Sequence, residues 1–483
     1  MLRCLRKRER SLVHVRAALV VATIGLAWTA TIATSASAAA ETVESALVRA
    51  YLNNPQLNVQ RALVKATDEG VPQALAGYRP RIGATLTGGE QSLSTTSQLL
   101  PQAPGAPATY LTNSGYNATY SGGVAITQTL YNGFQTANRT RAAEASVLSA
   151  RETLRNTEQT VLLNALTAYM NVLRDYAILE LQKRNVEVLQ EQLRQTRDRF
   201  KVGDVTSTDI SQSESRLAAG VTQFLSAEAN YKTSIATYHQ VIGSDPGKLS
   251  PATIVDRFLP KTLPDSIAVG SNLNPAITTA MYNLDIAQNQ VSLAEGALLP
   301  TFVVQGSGQQ NFETQLDVPH SYNLSVIGQL SIPIYQGGAE YSAVRQAKET
   351  LGQRKLELDL ARTQVRQAIV QVWSSLDATK GAIISTEAQA KAAESALNGV
   401  RQEALVGQRT TLDVLNAQQE LVNARAAVVQ AQRDRVVASY SVLAAVGRLS
   451  PQILGLQVTH YDAAVHYQQV RDNWIGLRTP DGK

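Results

Sequence analysis

Two aspartates stand where side-chain chemistry has a fixed local geometry. Asp209 and Asp413 each follow a threonine by three positions, in Thr206-Ser207-Thr208-Asp209 and Thr410-Thr411-Leu412-Asp413. At that spacing a threonine and an acid exchange hydrogen bonds across the first turn of a helix, and the acid meets the positive end of the helix dipole. That chemistry is capping, not bond making. The other reactive residue types form no catalytic or metal pattern. His14, His239, His320, His460 and His466 show no spacing such as H-E-x-x-H, and neither G-x-S-x-G nor a phosphate loop occurs. Gly306-Ser307-Gly308 falls on a predicted strand, where small residues suit a barrel wall better than a phosphate cradle. Neither an enzyme, a cofactor nor a resident metal is expected.

Each aspartate closes a break in a long helical pattern. The breaks run from Lys201 to Asp209 and from Leu405 to Asp413, and each holds a glycine, Gly203 or Gly407. Glycine suits a left-handed C-terminal cap for the incoming helix, and Thr206 or Thr410 suits the N-cap of the outgoing one. Two helical hairpins are predicted, over about 134–201 with 208–243 and about 338–404 with 412–447. No proline occurs between Gly133 and Asp245 or between Gly337 and Ser450, so the pattern continues unbroken. Leu162, Leu166, Tyr169, Leu173 and Tyr176 step by four, three, four and three, the spacing of a coiled-coil seam.

The hairpins repeat because the chain is written twice. Asn54-Pro55-Gln56-Leu57 returns as Asn274-Pro275-Ala276-Ile277, and Pro80 returns as Pro300, both at an offset of 220. Tyr131-Asn132-Gly133-Phe134 returns as Tyr335-Gln336-Gly337-Gly338, Gly203 as Gly407 and Gly243 as Gly447, at an offset of 204. The difference of 16 falls between Pro80 and Tyr131. There Ser92 to Ser114, with Pro101, Pro104 and Pro107, reads as an elongated loop. The repeats are placed at 41–243 and 273–447, joined by a linker at 244–272 and followed by a C-terminal segment at 448–483.

Each repeat also carries two strands. Tyr322, Leu324, Val326, Leu330, Ile332 and Ile334 share one face, against Asn323, Ser325, Gln329 and Ser331 on the other. Strands are predicted at about 81–91, 118–131, 301–309 and 322–335. Four strands with one apolar face cannot close alone, and open edges are not tolerated in lipid. Two chains would close eight strands around a filled interior; three would close twelve around an open one. The fold class is thus mainly α with a membrane β-barrel. A periplasmic coiled-coil scaffold without a barrel is the alternative, and the alternating strands argue against it.

The first forty residues read as a secretory signal. Arg3, Arg6, Lys7, Arg8 and Arg10 precede an apolar run from Ala17 to about Ala33 and the small residues Ala36 to Ala40. A membrane anchor is the other reading, but the run falls short of the ~20 residues a spanning helix needs. The whole chain holds 44 Lys and Arg against 39 Asp and Glu; removing six and one leaves 38 of each. No nucleic-acid partner is indicated. Cys4, the only cysteine, lies in the signal, so stability must come from packing and assembly.

These features together resemble the TolC family of outer-membrane efflux and secretion ducts. The resemblance rests on the duplicated N-P-x-L/I, the proline before the first strand of each half, Leu330-Ser331-Ile332-Pro333-Ile334-Tyr335-Gln336-Gly337-Gly338, and the blocks from Phe200 to Asp209 and from Val406 to Leu415. It covers essentially the whole mature chain. It implies a homotrimer with a twelve-stranded barrel, a periplasmic helical tunnel and an equatorial belt formed by Leu249 to Ser271 and the stretch after Pro451. It further implies a passive duct that docks through a periplasmic adaptor (membrane fusion) protein to an inner-membrane RND or ABC-type transporter. Asp413 matches the first acidic ring of the family's periplasmic aperture, a place for cation block; Asn416 falls on the second, where relatives carry an acid. Arg409 matches a basic residue that latches onto the neighbouring hairpin turn in the closed state, here Thr208 and Asp209. Ala404 replaces a tyrosine of that latch. Gly203 and Gly407 mark the turns that meet the adaptor.

Overall fold

The computed structural model describes residues 41–99, 105, 107–315 and 318–482. The signal expected over 1–40, with Cys4, and the loop prolines Pro101 and Pro104 lie outside them. The two halves follow one plan. The first runs through α1 (Val43–Asn53), α2 (Pro55–Asp68), α3 (Gly70–Leu75), β1 (Arg81–Leu99), β2 (Thr109–Asn132), α4 (Gln135–Lys201) and α5 (Ser207–Ile242). The second runs through α6 (Leu263–Leu273), α7 (Pro275–Gly296), β3 (Thr301–Gln315), β4 (Val318–Ser331), α8 (Ala339–Leu405) and α9 (Thr411–Ala445), before a short α10 (Ala463–Val470). Part of the stretch expected as linker is therefore helix α6.

The long helices α4 and α8 each hold 67 residues, about 100 Å at ~1.5 Å per residue. Their starts and their ends are both 204 positions apart. The repeated Asn-Pro explains how each hairpin is tied off. Asn54 Oδ1 accepts from the backbone of Gln56 at 2.9 Å while its Nδ2 donates to Val241 O at 2.8 Å, near the end of α5. Asn274 does the same with Ala276 at 2.9 Å and with Ala445 O at 2.8 Å, at the end of α9. One side chain thus caps a short helix and satisfies an orphan carbonyl of a long one, with proline at the first helical position.

The four strands form one antiparallel sheet in the order β1-β2-β3-β4. Its cross-strand rows separate by chemistry. One face carries Ile82, Ile126, Gly306 and Val326 in one row and Ala84, Val124, Gly308 and Leu324 in the next. The other face carries Thr87, Ser121, Asn311 and Ser321, and then Gly83, Ala125, Ser307 and Ser325. Ile82, Leu86, Leu324 and Val326 are 70–88% exposed in the chain. An apolar face of that kind, left open to water, needs lipid or protein against it.

Two expectations need correction here. Ser92 to Ser114 is mostly strand, paired out to Leu99 opposite Thr109, because no proline within 92–99 or 109–117 removes a donor from the ladder. In the second half β3 and β4 likewise extend to Gln315 and from Val318, but β4 stops at Ser331 instead of continuing to Tyr335. Pro333 lacks the N–H that pairing would require. The predicted seam runs as its pattern reads: Leu162, Leu166 and Tyr169 are buried, Leu173 packs partly against them, and Tyr176, though half-exposed, meets the Tyr231 ring of α5 at 5.8 Å.

The main core surrounds the middle of α4 and the ends of α5 and α9. Leu162, Leu166 and Tyr169 of α4 pack with Leu47 of α1, Tyr238 and Ile242 of α5 and Leu443 of α9. Leu249, Phe258, Leu454 and Leu456 close over them from the segments between and after the repeats. Each fully buried aliphatic side chain contributes about 1.5–3 kcal/mol. Tyr169 Oη sits 2.8 Å from Glu41 O and 2.6 Å from Ser250 O, fixing two loop backbones to the helix. Among the described residues no helix is long and apolar enough to cross a membrane.

Candidate functional site

Both hairpin turns are built alike. After α4, Gly203 at φ +79° lets its N–H reach Phe200 O at 3.0 Å, and Asp204 N reaches Arg199 O at 3.0 Å. After α8, Gly407 at φ +77° reaches Ala404 O at 3.2 Å, and Gln408 N reaches Glu403 O at 2.9 Å. Left-handed backbone at these two positions is why glycine recurs. Each outgoing helix then starts on a full capping box. Thr206 N and Oγ1 both donate to Asp209 Oδ2, at 2.9 and 2.8 Å. Thr410 N and Oγ1 donate to Asp413 Oδ2, at 3.0 and 2.9 Å.

Capping therefore occupies one oxygen of Asp413. Its Oδ1 makes no hydrogen bond among the described residues, so the same carboxylate can cap α9 and still present charge outward. The hydrogen bonds from Thr410, backbone first and hydroxyl second, hold the Asp413 carboxyl below the usual carboxylate range, and the positive charge of Arg409 helps. The group stays ionised at any physiological pH.

The two turns face one cleft of about 790 Å³. Asp209 and Arg409 both line it, with Arg199, Asp204, Glu191 and Arg401 around them. Within the chain these residues do not form the expected latch. Arg409 Nε donates instead to Glu403 Oε2 at 2.8 Å, Asp209 is taken by Thr206, and Thr208 is exposed, with no side-chain hydrogen bond to any of the described residues. The Glu403 contact also raises the Arg409 pKa, with Asp413 adding to it. Ala404 packs against the cluster of Leu397, Val414 and Leu421.

Asn416, one turn beyond Asp413, is also engaged. Its Oδ1 accepts from Arg216 Nη2 of α5 at 2.5 Å, linking the two hairpins near their tips. No spacing in the sequence announced that pair, because the residues belong to different repeats and occupy non-equivalent positions. The two C-terminal histidines are likewise placed by contacts the sequence did not reveal. His466 meets Asp68, and His460 lies beside Tyr51 and Gln452. Among the described residues no three His, Cys, Asp or Glu side chains gather as metal ligands.

This arrangement, a four-stranded sheet above paired helical hairpins, matches known proteins over nearly its whole length. The family model described as "Outer membrane efflux protein" fits residues 46–244 and 271–448. The outer membrane efflux protein BepC of Brucella suis biovar 1 (strain 1330) is 41% identical over 454 residues, covering 94% of this chain and 95% of that protein. Outer membrane protein TolC of Escherichia coli (strain K12) is 27% identical over 380 residues, 74% of this chain and 76% of that one. The fold superposes on the Campylobacter jejuni CmeC outer membrane channel with a TM-score of 0.71 at 15% identity, covering 89% of each chain. With both repeats matched and the relationship to BepC running end to end, the chain belongs to the outer membrane efflux protein family, channel proteins of the outer membrane that extend into the periplasm.

Proposed function

We propose that three copies of this chain form a passive exit duct, receiving substrate from an inner-membrane transporter and releasing it beyond the outer membrane. The observation that carries this reading is the sheet: its β1 and β4 edges are unpaired within the chain, and one of its faces is apolar and exposed. Joining β1 of one copy to β4 of the next removes both edges, and twelve strands leave an open lumen lined by the Ser, Thr, Asn and Gln face. A periplasmic scaffold would have no use for that apolar face.

In the same assembly six helical hairpins continue the duct into the periplasm, and their turns narrow its end. Asp413 is the aperture ring, with Asn416 one turn deeper. Three carboxylates ~6 Å apart repel by under ~1 kcal/mol per pair in water and more beside a low-dielectric wall, so the ring favours cations and admits block by multivalent ones. Arg409 reaches Thr208 and Asp209 of a neighbouring hairpin when the duct is closed, exchanging its Glu403 partner for them. Between exposed side chains such a bond is screened by water and weak enough for an adaptor to undo. Gly203 and Gly407 shape the turns that a periplasmic adaptor protein grips, and an RND or ABC-type transporter lies below it.

The test is planar-bilayer conductance of the purified trimer. Asp413→Ala is expected to raise conductance and relieve block by a trivalent cation; no change in either removes the aperture assignment. Co-purification of the adaptor and transporter with the duct then identifies the pump class.

A further inference from the structure

The C-terminal segment climbs α4 toward the barrel in regular steps. Tyr51, which bonds Glu158 of α4, accepts from the Tyr461 backbone at 3.3 Å. Arg151 lies over the Tyr467 ring, 5.2 Å from its centroid. Arg471 then reaches Glu144 at 3.7 Å. Glu158, Arg151 and Glu144 are spaced by seven residues, about 10 Å of helix per step. The direction is toward Gln135, where α4 leaves the sheet. At the top Arg79 Nη1 donates to Asn473 O at 2.7 Å, and its guanidinium lies 4.7 Å from the centroid of the Trp474 ring.

That contact fixes the level of the tail. Arg79 is two residues before β1, and its Cα is within about 11 Å of that of Ile82 even with the chain fully extended. Ile82 begins the apolar face of the sheet. Tyr131 and Phe134, edge to face at 5.5 Å, stand at the same end of it. Beyond Trp474 the tail exposes what a water-facing strap would hide: Trp474 is 67% exposed, Ile475 97% and Leu477 103%. Arg478 follows directly. The tail then turns back, tethered by Lys65 Nζ to Asp481 Oδ2 at 2.5 Å, so these apolar side chains sit at the crest of a held loop.

We propose that Trp474, Ile475 and Leu477 insert into the periplasmic phospholipid leaflet beside the barrel wall, making the C-terminal tail of each protomer an interfacial membrane anchor. The proposal rests on the placement of the β1–β4 sheet in the outer membrane. Lipid is the partner because the exposed patch lies beside the start of β1, level with the end of that sheet at which its apolar face begins. Tryptophan and flanking arginine, here Arg79 and Arg478, are the residues that settle at a headgroup boundary, and short aliphatic neighbours supply the depth.

The sequence supplies its own reporter. Trp28, Trp373 and Trp474 are the only tryptophans, so Trp373→Phe leaves Trp474 alone in residues 41–483. The trimer carrying it is reconstituted into phosphatidylethanolamine and phosphatidylglycerol bilayers whose acyl chains are brominated near the headgroup. Emission is expected to fall about twofold against unbrominated lipid, as for an interfacial indole, and the added pair Ile475→Ser and Leu477→Ser should abolish most of that quenching. A second reporter, Val326→Trp in a Trp373→Phe, Trp474→Phe chain, reads the barrel itself. Quenching at 326 without quenching at 474 overturns the anchor and leaves the barrel standing, whether the tail is then reached by aqueous iodide or shielded from it by a neighbouring protomer. Absence of quenching at 326 removes the membrane placement and the anchor with it.

Discussion

Asp68 Oδ2 lies 3.0 Å from His466 Nδ1, joining residues 398 positions apart and fastening α10 to α2. The carboxylate is wholly buried and, among the described residues, its Oδ1 has no hydrogen-bond partner. Burial pushes its pKa up, while the His466 hydrogen bond and the charge of Arg151 pull it back down. Because the folded-state pKa is raised, the ionised form carries the cost. On this group's account, acidification stabilises the docked segment across the interval above the ordinary value of 3.8, and below that value the gain is complete. His466→Ala removes a partner from a buried charge and should weaken docking by about 1–3 kcal/mol at neutral pH. Limited proteolysis of the folded trimer should then release fragments ending near Tyr461 roughly tenfold to a hundredfold faster. The difference from wild type should shrink as Asp68 protonates; a difference independent of pH would mean that the imidazole acts by packing alone.

Gly133 and Gly296 touch backbone to backbone where α4 and α7 meet below the sheet. A Cβ on Gly296 would lie 2.4 Å from Gly133 O, and one on Gly133 would lie 2.2 Å from Gly296 O. No rotamer relieves such a contact. Gly296→Ala is therefore expected to destabilise the folded protein by about 1–3 kcal/mol, read as a lower melting temperature of the trimer. Gly352→Ala serves as the contrast. Its Cβ would meet nothing within 4 Å, and it lies inside α8, about four turns from its start, so helix propensity should stabilise it by ~0.4–1 kcal/mol. If the two substitutions move the melting temperature alike, the close approach has no energetic consequence.

The legible part of the fold is the part encoded by period and offset. The alternation from Tyr322 to Leu330 located β4, and the offset of 204 that placed Gly203 and Gly407 also spaces the ends of α4 and α8. Strand ends were less legible because pairing, not local composition, decides them. Thr95 and Asn113 look like loop residues, yet they face each other in register. At the hairpin turns the capping boxes were readable because both partners lie within one helical turn. Arg216 with Asn416, and Asp68 with His466, were not, since each pair is created only when distant segments pack. The same limit hid the tail: nothing in the spacing of Trp474 announced Arg79 as its neighbour.

Asp209 and Asp413 make the same capping box, which separates a helix-start role from a role in the passage. Asp209→Ala and Asp413→Ala should each shed the N3 half of the same box and weaken the helix start alike. Only Asp413→Ala should abolish trivalent-cation block of single trimers. The pH dependence carries a sign as well. With the Asp413 pKa held below the ordinary value of 3.8, both cap and charge are present above that value and are lost only as pH falls through the lowered one. Block should persist at pH 4. Relief of block at pH 5 or above would show that another group supplies the charge.

Arg216 and Asn416 set how much the proposed second ring of the aperture can contribute. Arg216 Nη2 already holds Asn416 Oδ1 at 2.5 Å, so the amide oxygen is turned toward α5 and its dipole is spent on a cation of the same protomer. Asn416→Asp keeps the shape and adds three negative charges per trimer, but each is then paired with Arg216 and largely neutralised. A modest rise in cation selectivity is expected from this variant alone. Removing the arginine as well, in Arg216→Ala with Asn416→Asp, unmasks the charge and should raise selectivity severalfold, since a bare ring in a narrow pore acts without a counter-charge. Arg216→Ala alone deletes a positive group and loosens the tie between hairpins, so its conductance should increase with little change in block at Asp413. The reversal potential across a potassium chloride gradient distinguishes these cases. Identical reversal potentials for wild type, Asn416→Asp and the double variant would place residue 416 outside the conducting path.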